Sequence, residues 1–167
     1  MAETALMKEV EGQEYVSFYL RDELYAINAL SVQEIIELAN ITKVPHLPHF
    51  MKGVINLRGT IIPVVDLKDK FEMGTGEYQK HTCIIVTEFA GGVMGLIVDS
   101  VSDVLQIPEE ALSATPSFGA KINTEFIRGM GKVGNNLVMV LEVDRVLSDS
   151  ETARVKDVAA GEETAAV

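Results

Sequence analysis

The sequence predicts an all-β protein with only short helices, its strands gathered into two similar small barrels. Short apolar runs separated by Gly-, Asn- or Pro-bearing breaks recur along most of the chain, and no long helical pattern interrupts them. The pattern also repeats. Phe126-Ile127-Arg128-Gly129-Met130 matches Phe50-Met51-Lys52-Gly53-Val54 as aromatic, apolar, basic, glycine, apolar, and a hairpin follows each. Val101-Ser102-Asp103-Val104-Leu105 echoes Val32-Gln33-Glu34-Ile35-Ile36 in the same way. Such a duplication implies two five-strand units, roughly 13–71 and 80–148, within one folded region 13–148.

Taken in order, residues 1–12 are polar and are expected to be a flexible N-terminus. Glu14 to Leu20 and Leu24 to Ile27 read as strands joined by a turn at Arg21-Asp22-Glu23. Asn28-Ala29-Leu30-Ser31 suits a short helical turn, and the run from Val32 to Leu38, though compatible with a helix, is β-branched and favours a strand. Residues 39–52 carry Pro45 and Pro48 and read as a loop. After the hairpin at 53–67 comes a short charged helix, Asp66 to Phe71, and a flexible break at Gly74-Thr75-Gly76-Glu77. His81 to Thr87 and Val93 to Val98 are strands about Ala90-Gly91-Gly92. A loop bearing Pro108 and Pro116 precedes the last hairpin, which turns at Gly134-Asn135-Asn136. Residues 149–167 show no core pattern and are expected to fray.

The hairpin from Gly53 to Leu67 organises the rest. Gly59 supplies the positive φ that its tight reversal needs. Alternation puts Ile55 and Leu57 on one face and Val54 on the other, and after the turn it separates Ile61 and Val65 from Ile62 and Val64. Both faces are apolar, so both must be covered. Arg58 sits at the tip, where a solvated turn arginine is the plain reading.

Composition excludes several classes of function. A chain of 167 residues that is 47% hydrophobic can bury about 70% of its unfolded surface without disulfides. The lone Cys83 lies in Thr82-Cys83-Ile84-Ile85-Val86 and reads as a small buried apolar residue. Lys and Arg number 14 against 25 Asp and Glu, a net charge of -11 that disfavours nucleic acid and anionic membrane surfaces as partners. The N-terminus resembles no signal peptide, and no stretch approaches a membrane span, so a cytoplasmic location is expected.

No reactive constellation is legible. Gly129-Met130-Gly131-Lys132-Val133-Gly134 fits G-x-G-x-x-G but leads into a strand, whereas a phosphate-binding loop must open a helix. His46 and His49 lack a third metal ligand nearby, and Pro48 breaks the regular spacing between them. Asp99 and Asp103 lie where a strand passes through a turn, not around a pocket. No catalytic residue, metal or cofactor is expected, and a binding module is the better reading than an enzyme.

Gly53-Val54-Ile55-Asn56-Leu57-Arg58-Gly59 with Ile62-Pro63-Val64-Val65-Asp66-Leu67 resembles the signature of the CheW family of bacterial chemotaxis coupling proteins. Val32-Gln33-Glu34-Ile35, the run from Val98 to Val104, and Phe126-Ile127-Arg128-Gly129 fit the same family in the same order, so the resemblance covers about 13–148. It implies two SH3-like five-stranded subdomains packed across an apolar interface. It also implies a non-catalytic adaptor, monomeric in isolation, that joins the cytoplasmic tip of a chemoreceptor to the regulatory domain of the histidine kinase CheA in a membrane-associated array. A similar scaffold in a non-chemotactic chemosensory pathway is the alternative. With the sequence ending at 167, a stand-alone coupler fits better than a kinase or receiver fusion.

By matching motif positions, the resemblance implies a receptor-binding groove that includes Val32, Glu34, Ile35, Gly53, Arg58 and Val101. For Val32, Ile35 and Val101 a core role competes with this, and Gly53 can be a backbone requirement only. Kinase-contact residues are not identified. Glu34 is expected to hold the Arg58 guanidinium across the groove mouth, and Phe50 and Phe126 are expected to plug equivalent places in their barrels.

Overall fold

The computed structural model describes residues 14–74, 76–89, 92–113 and 126–159. The segment 1–12, Thr75, Ala90-Gly91, Pro116 and residues 160–167, all of which carried expectations above, lie outside the described residues. The elements in order are β1 (Glu14–Leu20), β2 (Glu23–Asn28), a 3-10 turn (Ala29–Ser31), β3 (Val32–Glu37), β4 (Met51–Leu57), β5 (Thr60–Asp66) and α1 (Leu67–Lys70). Then come β6 (Cys83–Phe89), β7 (Gly92–Val98), β8 (Ser100–Gln106), a second 3-10 turn (Glu109–Ala111), β9 (Leu112–Ser113), β10 (Ile127–Val133), β11 (Asn136–Leu141), α2 (Val143–Val146) and α3 (Asp149–Ala159).

The strands form two SH3-like barrels, with one sheet ordered β8-β1-β2-β11-β10-β9 and the other β3-β6-β7-β5-β4. The duplication is visible in both. β1 pairs antiparallel with β8 as β6 pairs with β3, and β2 lies parallel to β11 as β7 lies parallel to β5. The halves are nevertheless interleaved. The β1–β2 hairpin from the first half completes the sheet of the second, and β6–β7 completes the sheet of the first. The boundary expected between 71 and 80 therefore does not separate the two sheets. A sequence repeat reports like elements, not which copy supplies each strand's neighbour.

This exchange explains the doubly apolar strands. Ile84 and Val86 of β6, Ile97 of β7, and Ile62 and Val64 of β5 fill the interior of one barrel. Tyr15, Ala26, Val138 and Val140 do so in the other, with Ile107. The alternate residues point the opposite way, and Ile85, Leu96 and Val65 meet Phe18, Ile27 and Leu141 in a core drawn from both sheets. The hairpin β4–β5 is covered on both faces as its pattern requires. Cys83, expected to be buried, is only half-buried at the start of β6, and burial still pushes its thiol pKa up.

α1 begins where Asp66, fully buried, accepts hydrogen bonds from the Lys68 and Asp69 amides (3.0 and 3.3 Å). The Tyr78 hydroxyl donates to the other Asp66 oxygen (2.8 Å), and burial followed by that carboxylate raises the phenol's pKa. Lys68 pairs with Asp99 (2.6 Å), between β7 and β8, and Asp99 also accepts from the Arg21 amide (2.6 Å). The crossing point between sheets is thus tied to α1 and to the β1–β2 turn.

Phe50 and Phe126 hold equivalent backbone places: their carbonyls accept from the Asp66 and Glu142 amides, each at 2.8 Å. Neither ring plugs the barrel interior as expected. Phe50 is buried in the shared core, while half-buried Phe126 stacks on Phe71 at 4.3 Å between ring centroids.

The expected fraying after 149 is also not what is found across α3. Ser148 and Glu151 form a reciprocal cap, the Ser148 amide donating to Glu151 Oε1 (2.8 Å) and the Glu151 amide to Ser148 Oγ (3.2 Å). Val155 and Val158, three residues apart on one face, enter the shared core. Glu151 pairs with Lys70 (3.0 Å), and Arg154 donates to the His46 carbonyl (2.6 Å). A mostly polar helix is thus held by two valines and its polar contacts, too few apolar residues to read as a core pattern. Val155→Ala is expected to cost about 1–3 kcal/mol in chemical denaturation and to raise amide exchange through α3. An unchanged midpoint would mean that the helix contributes nothing to the core.

Candidate functional site: the Glu34–Arg58 pair at the hairpin tip

Leu57 pairs with Thr60, so Arg58 and Gly59 alone make the β4–β5 loop. Both have positive φ, 52° and 87°, as a type I′ turn requires. For Gly59 this costs little, but Arg58 is a residue with a Cβ in the left-handed region. The Asn56 side-chain oxygen accepts from the Gly59 amide (2.8 Å) and brackets the turn.

From this tip the guanidinium reaches back to β3. Arg58 Nη1 donates to Glu34 Oε2 at 2.9 Å, and Nη2 donates to Oε1, a two-pronged pairing of planar groups. A bulge lies between Val32 and Glu34, and Glu34 shares its strand face with Ile36, which packs half-buried against the barrel interior. The hydrogen bond from Arg58 holds the Glu34 carboxyl below its ordinary pKa, and the carboxylate in turn raises that of the guanidinium. Arg58 remains 72% exposed against 27% for Glu34. Glu34 engages two of its five N–H donors.

The other candidates lie at separate places on β3, β4 and β8. Val32 on β3 and Val101 on β8 are each half-buried against the shared core, from the edge strands of different sheets. Ile35 is exposed on β3. Gly53 is buried, and its φ is 141°. A Cβ there would lie 2.0 Å from the Thr42 carbonyl oxygen, because Thr42 and Val54 exchange backbone hydrogen bonds beside it (2.8 and 2.9 Å). Its visible role is the backbone requirement.

The second hairpin serves as an internal comparison. Gly53 opposes Val64 and Leu57 opposes Thr60 in one; Gly129 opposes Val140 and Val133 opposes Asn136 in the other. At the position of Arg58 the second hairpin has Gly134, with φ 61°, and at the position of Asn56 it has Lys132. The two tips also differ in backbone: Asn135, at the position of Gly59, has no positive φ, so the second turn is not of the type that Arg58 and Gly59 form. The sequence marked Arg58 and Glu34 but gave Asn56 no role; an Asn two residues before a two-residue loop was the available signal.

The remaining motifs are structural. Residues 129–134 are β10 and its turn. His49 lies 3.6 Å from Asp69 and edge-on to Phe50, and the Asp103 backbone is held by Ser17 Oγ. Among the described residues no group of three or more His, Cys, Asp or Glu is placed to hold a metal, and no helix is long and apolar enough to cross a membrane.

Two SH3-like barrels sharing a core, with a forked ion pair displayed at a hairpin tip, define a double-barrel β protein. Residues 14–151 match the CheW-like domain, and the chain belongs to the CheW family of chemotaxis proteins. It is 39% identical over 154 residues to the chemotaxis protein CheW of Klebsiella aerogenes, covering 92% of this chain and 93% of that one. It is 35% identical over 139 residues to that of Thermotoga maritima, covering 81% and 88%. The scaffolding protein CheW of Thermoanaerobacter tengcongensis matches in structure with a TM-score of 0.76 at 35% identity, covering 84% of this chain and 95% of that one.

Proposed function

We propose that this chain is a non-catalytic cytoplasmic adaptor that couples chemoreceptor signalling tips to the regulatory domain of the histidine kinase CheA within membrane-associated arrays. Membership of the CheW family supports the class of function. The observation that carries the receptor contact is Arg58: a left-handed, largely exposed arginine, oriented by Glu34, where the duplicate hairpin uses glycine. Arg21, His46 and Glu72 share the left-handed φ, so it is the outward guanidinium held in a fork by Glu34 that sets Arg58 apart. The receptor helix would lie between the barrels against Val32, Ile35 and Val101, with Glu34 and Arg58 at the mouth and Gly53 supporting from behind. The kinase would use a different surface.

Arg58→Ala and Arg58→Lys are expected to weaken binding of a receptor-tip fragment at least tenfold, since lysine keeps the charge but not the fork. Arg58→Gly should do the same while leaving the unfolding midpoint unchanged or higher, because glycine relieves the left-handed turn. Titration with the kinase regulatory domain should change little. Receptor affinity unaltered in Arg58→Ala would return this residue to a solvated turn arginine.

A further inference from the structure

We propose that Asn56 is a positioning residue for Arg58: by clamping the Gly59 amide it locks the left-handed turn from which the guanidinium reaches Glu34. In a two-residue hairpin loop the second loop residue has an N–H with no partner in the strand ladder. Asn56 Oδ1 takes it at 2.8 Å. The bond spans Leu57 and Arg58, so it closes a small ring about the residue whose backbone most needs holding, Arg58 at φ 52°. With that backbone fixed, the Cα–Cβ direction of Arg58 is fixed, and the side chain starts along the line that ends in the fork with Glu34.

The second hairpin differs from the first at both positions. There Gly134 stands at the position of Arg58 and Lys132 at that of Asn56, in a turn whose second residue, Asn135, has no positive φ. Arg21, also left-handed at the first position of the two-residue β1–β2 loop, has Tyr19 where the β4–β5 hairpin has the asparagine, and its guanidinium donates to the Met73 and Gly74 carbonyls instead of forming such a fork. Asn56 is itself exposed, so its identity is not set by packing. Its amide adds no charge beside the Glu34–Arg58 pair and is short enough to fold back on the turn, unlike a lysine.

The proposal rests on the reading of Arg58 as a receptor contact only in its consequence for binding; the positioning itself is measured in the free protein. The variants are Asn56→Ala, Asn56→Lys (the residue of the duplicate hairpin, which a folded hairpin already accommodates) and Asn56→Asp, which keeps the acceptor. NMR reads the carboxyl titration of Glu34 and the rate of guanidinium rotation in Arg58, which a two-pronged pair slows. In Asn56→Ala and Asn56→Lys the Glu34 titration should move up toward an ordinary carboxylate and the rotation should speed up several-fold. Asn56→Asp should retain slow rotation. Unfolding midpoints should stay close to that of the unsubstituted protein. Unchanged rotation and titration in folded Asn56→Ala would overturn the proposal, as would equal loosening in Asn56→Asp. If the fork loosens while receptor-tip affinity does not change, the positioning role stands and the receptor role of Arg58 falls.

Discussion

Gly53→Ala is expected to destabilise the fold by about 3–5 kcal/mol, the larger part from displaced backbone and the rest from strain. A Cβ built at Gly53 stands 2.0 Å from the carbonyl oxygen of Thr42 and 2.8 Å from its carbonyl carbon, and neither is the end of a flexible side chain. To make room the 41–42 segment must leave β4, breaking both hydrogen bonds between Thr42 and Val54. The φ of 141° adds its own cost for any residue with a side chain. Gly59→Ala is the matched control: its φ is also positive, 87°, but nothing lies within 4 Å of the added carbon. That substitution should cost only about 1–2 kcal/mol. Urea titrations of the two variants decide it, and equal losses would show that the Thr42 contact yields freely. Weakened receptor binding in Gly53→Ala should then follow the population of folded protein and not mark a direct contact.

What the sequence made legible was local. The β4–β5 hairpin announced itself through Gly59 and two flanking apolar runs; the Val32 run followed from β-branching, and the charged run after the hairpin marked the short helix, though not the cap at Asp66 that starts it. The repeated Phe-x-basic-Gly led to the true duplication. The exchange of β1–β2 and β6–β7 was not legible, because alternating apolar residues say that a strand is covered on both faces without saying by which copy. Glu34 and Arg58 lie 24 residues apart in the chain; their proximity came through family resemblance, since no spacing rule joins a strand to a distant hairpin tip. The left-handed φ of Arg58 was hidden by its neighbour, as Gly59 alone satisfied the expectation of a turn. α3 was overlooked although Ser148 and Glu151 spell a capping box, because only Val155 and Val158 anchor its core face.

Phe50→Ala should cost about 3–5 kcal/mol, and Phe126→Ala about half as much, although the two residues occupy equivalent positions of the repeat. Phe50 is 4% exposed and belongs to the core shared by both sheets. Its ring also carries Lys70 Nζ at 4.7 Å from the centroid and the edge of His49 at 5.5 Å. Truncation leaves a cavity between two barrels whose strands are interleaved, where neither sheet can close without moving the other, so relaxation recovers little. Phe126 is half-buried, and its main partner is the face of Phe71, in a stack worth about 0.5–1.5 kcal/mol beyond burial. Phe71 also contacts Tyr25, at 6.4 Å, so it keeps one aromatic neighbour when Phe126 is removed. Denaturant midpoints at constant slope are the measurement. Equal losses would mean that backbone equivalence, through the paired bonds to Asp66 and Glu142, governs these sites. Unequal losses in the stated order would mean that the shared core, which only Phe50 enters fully, is what makes the interleaved barrels one cooperative unit.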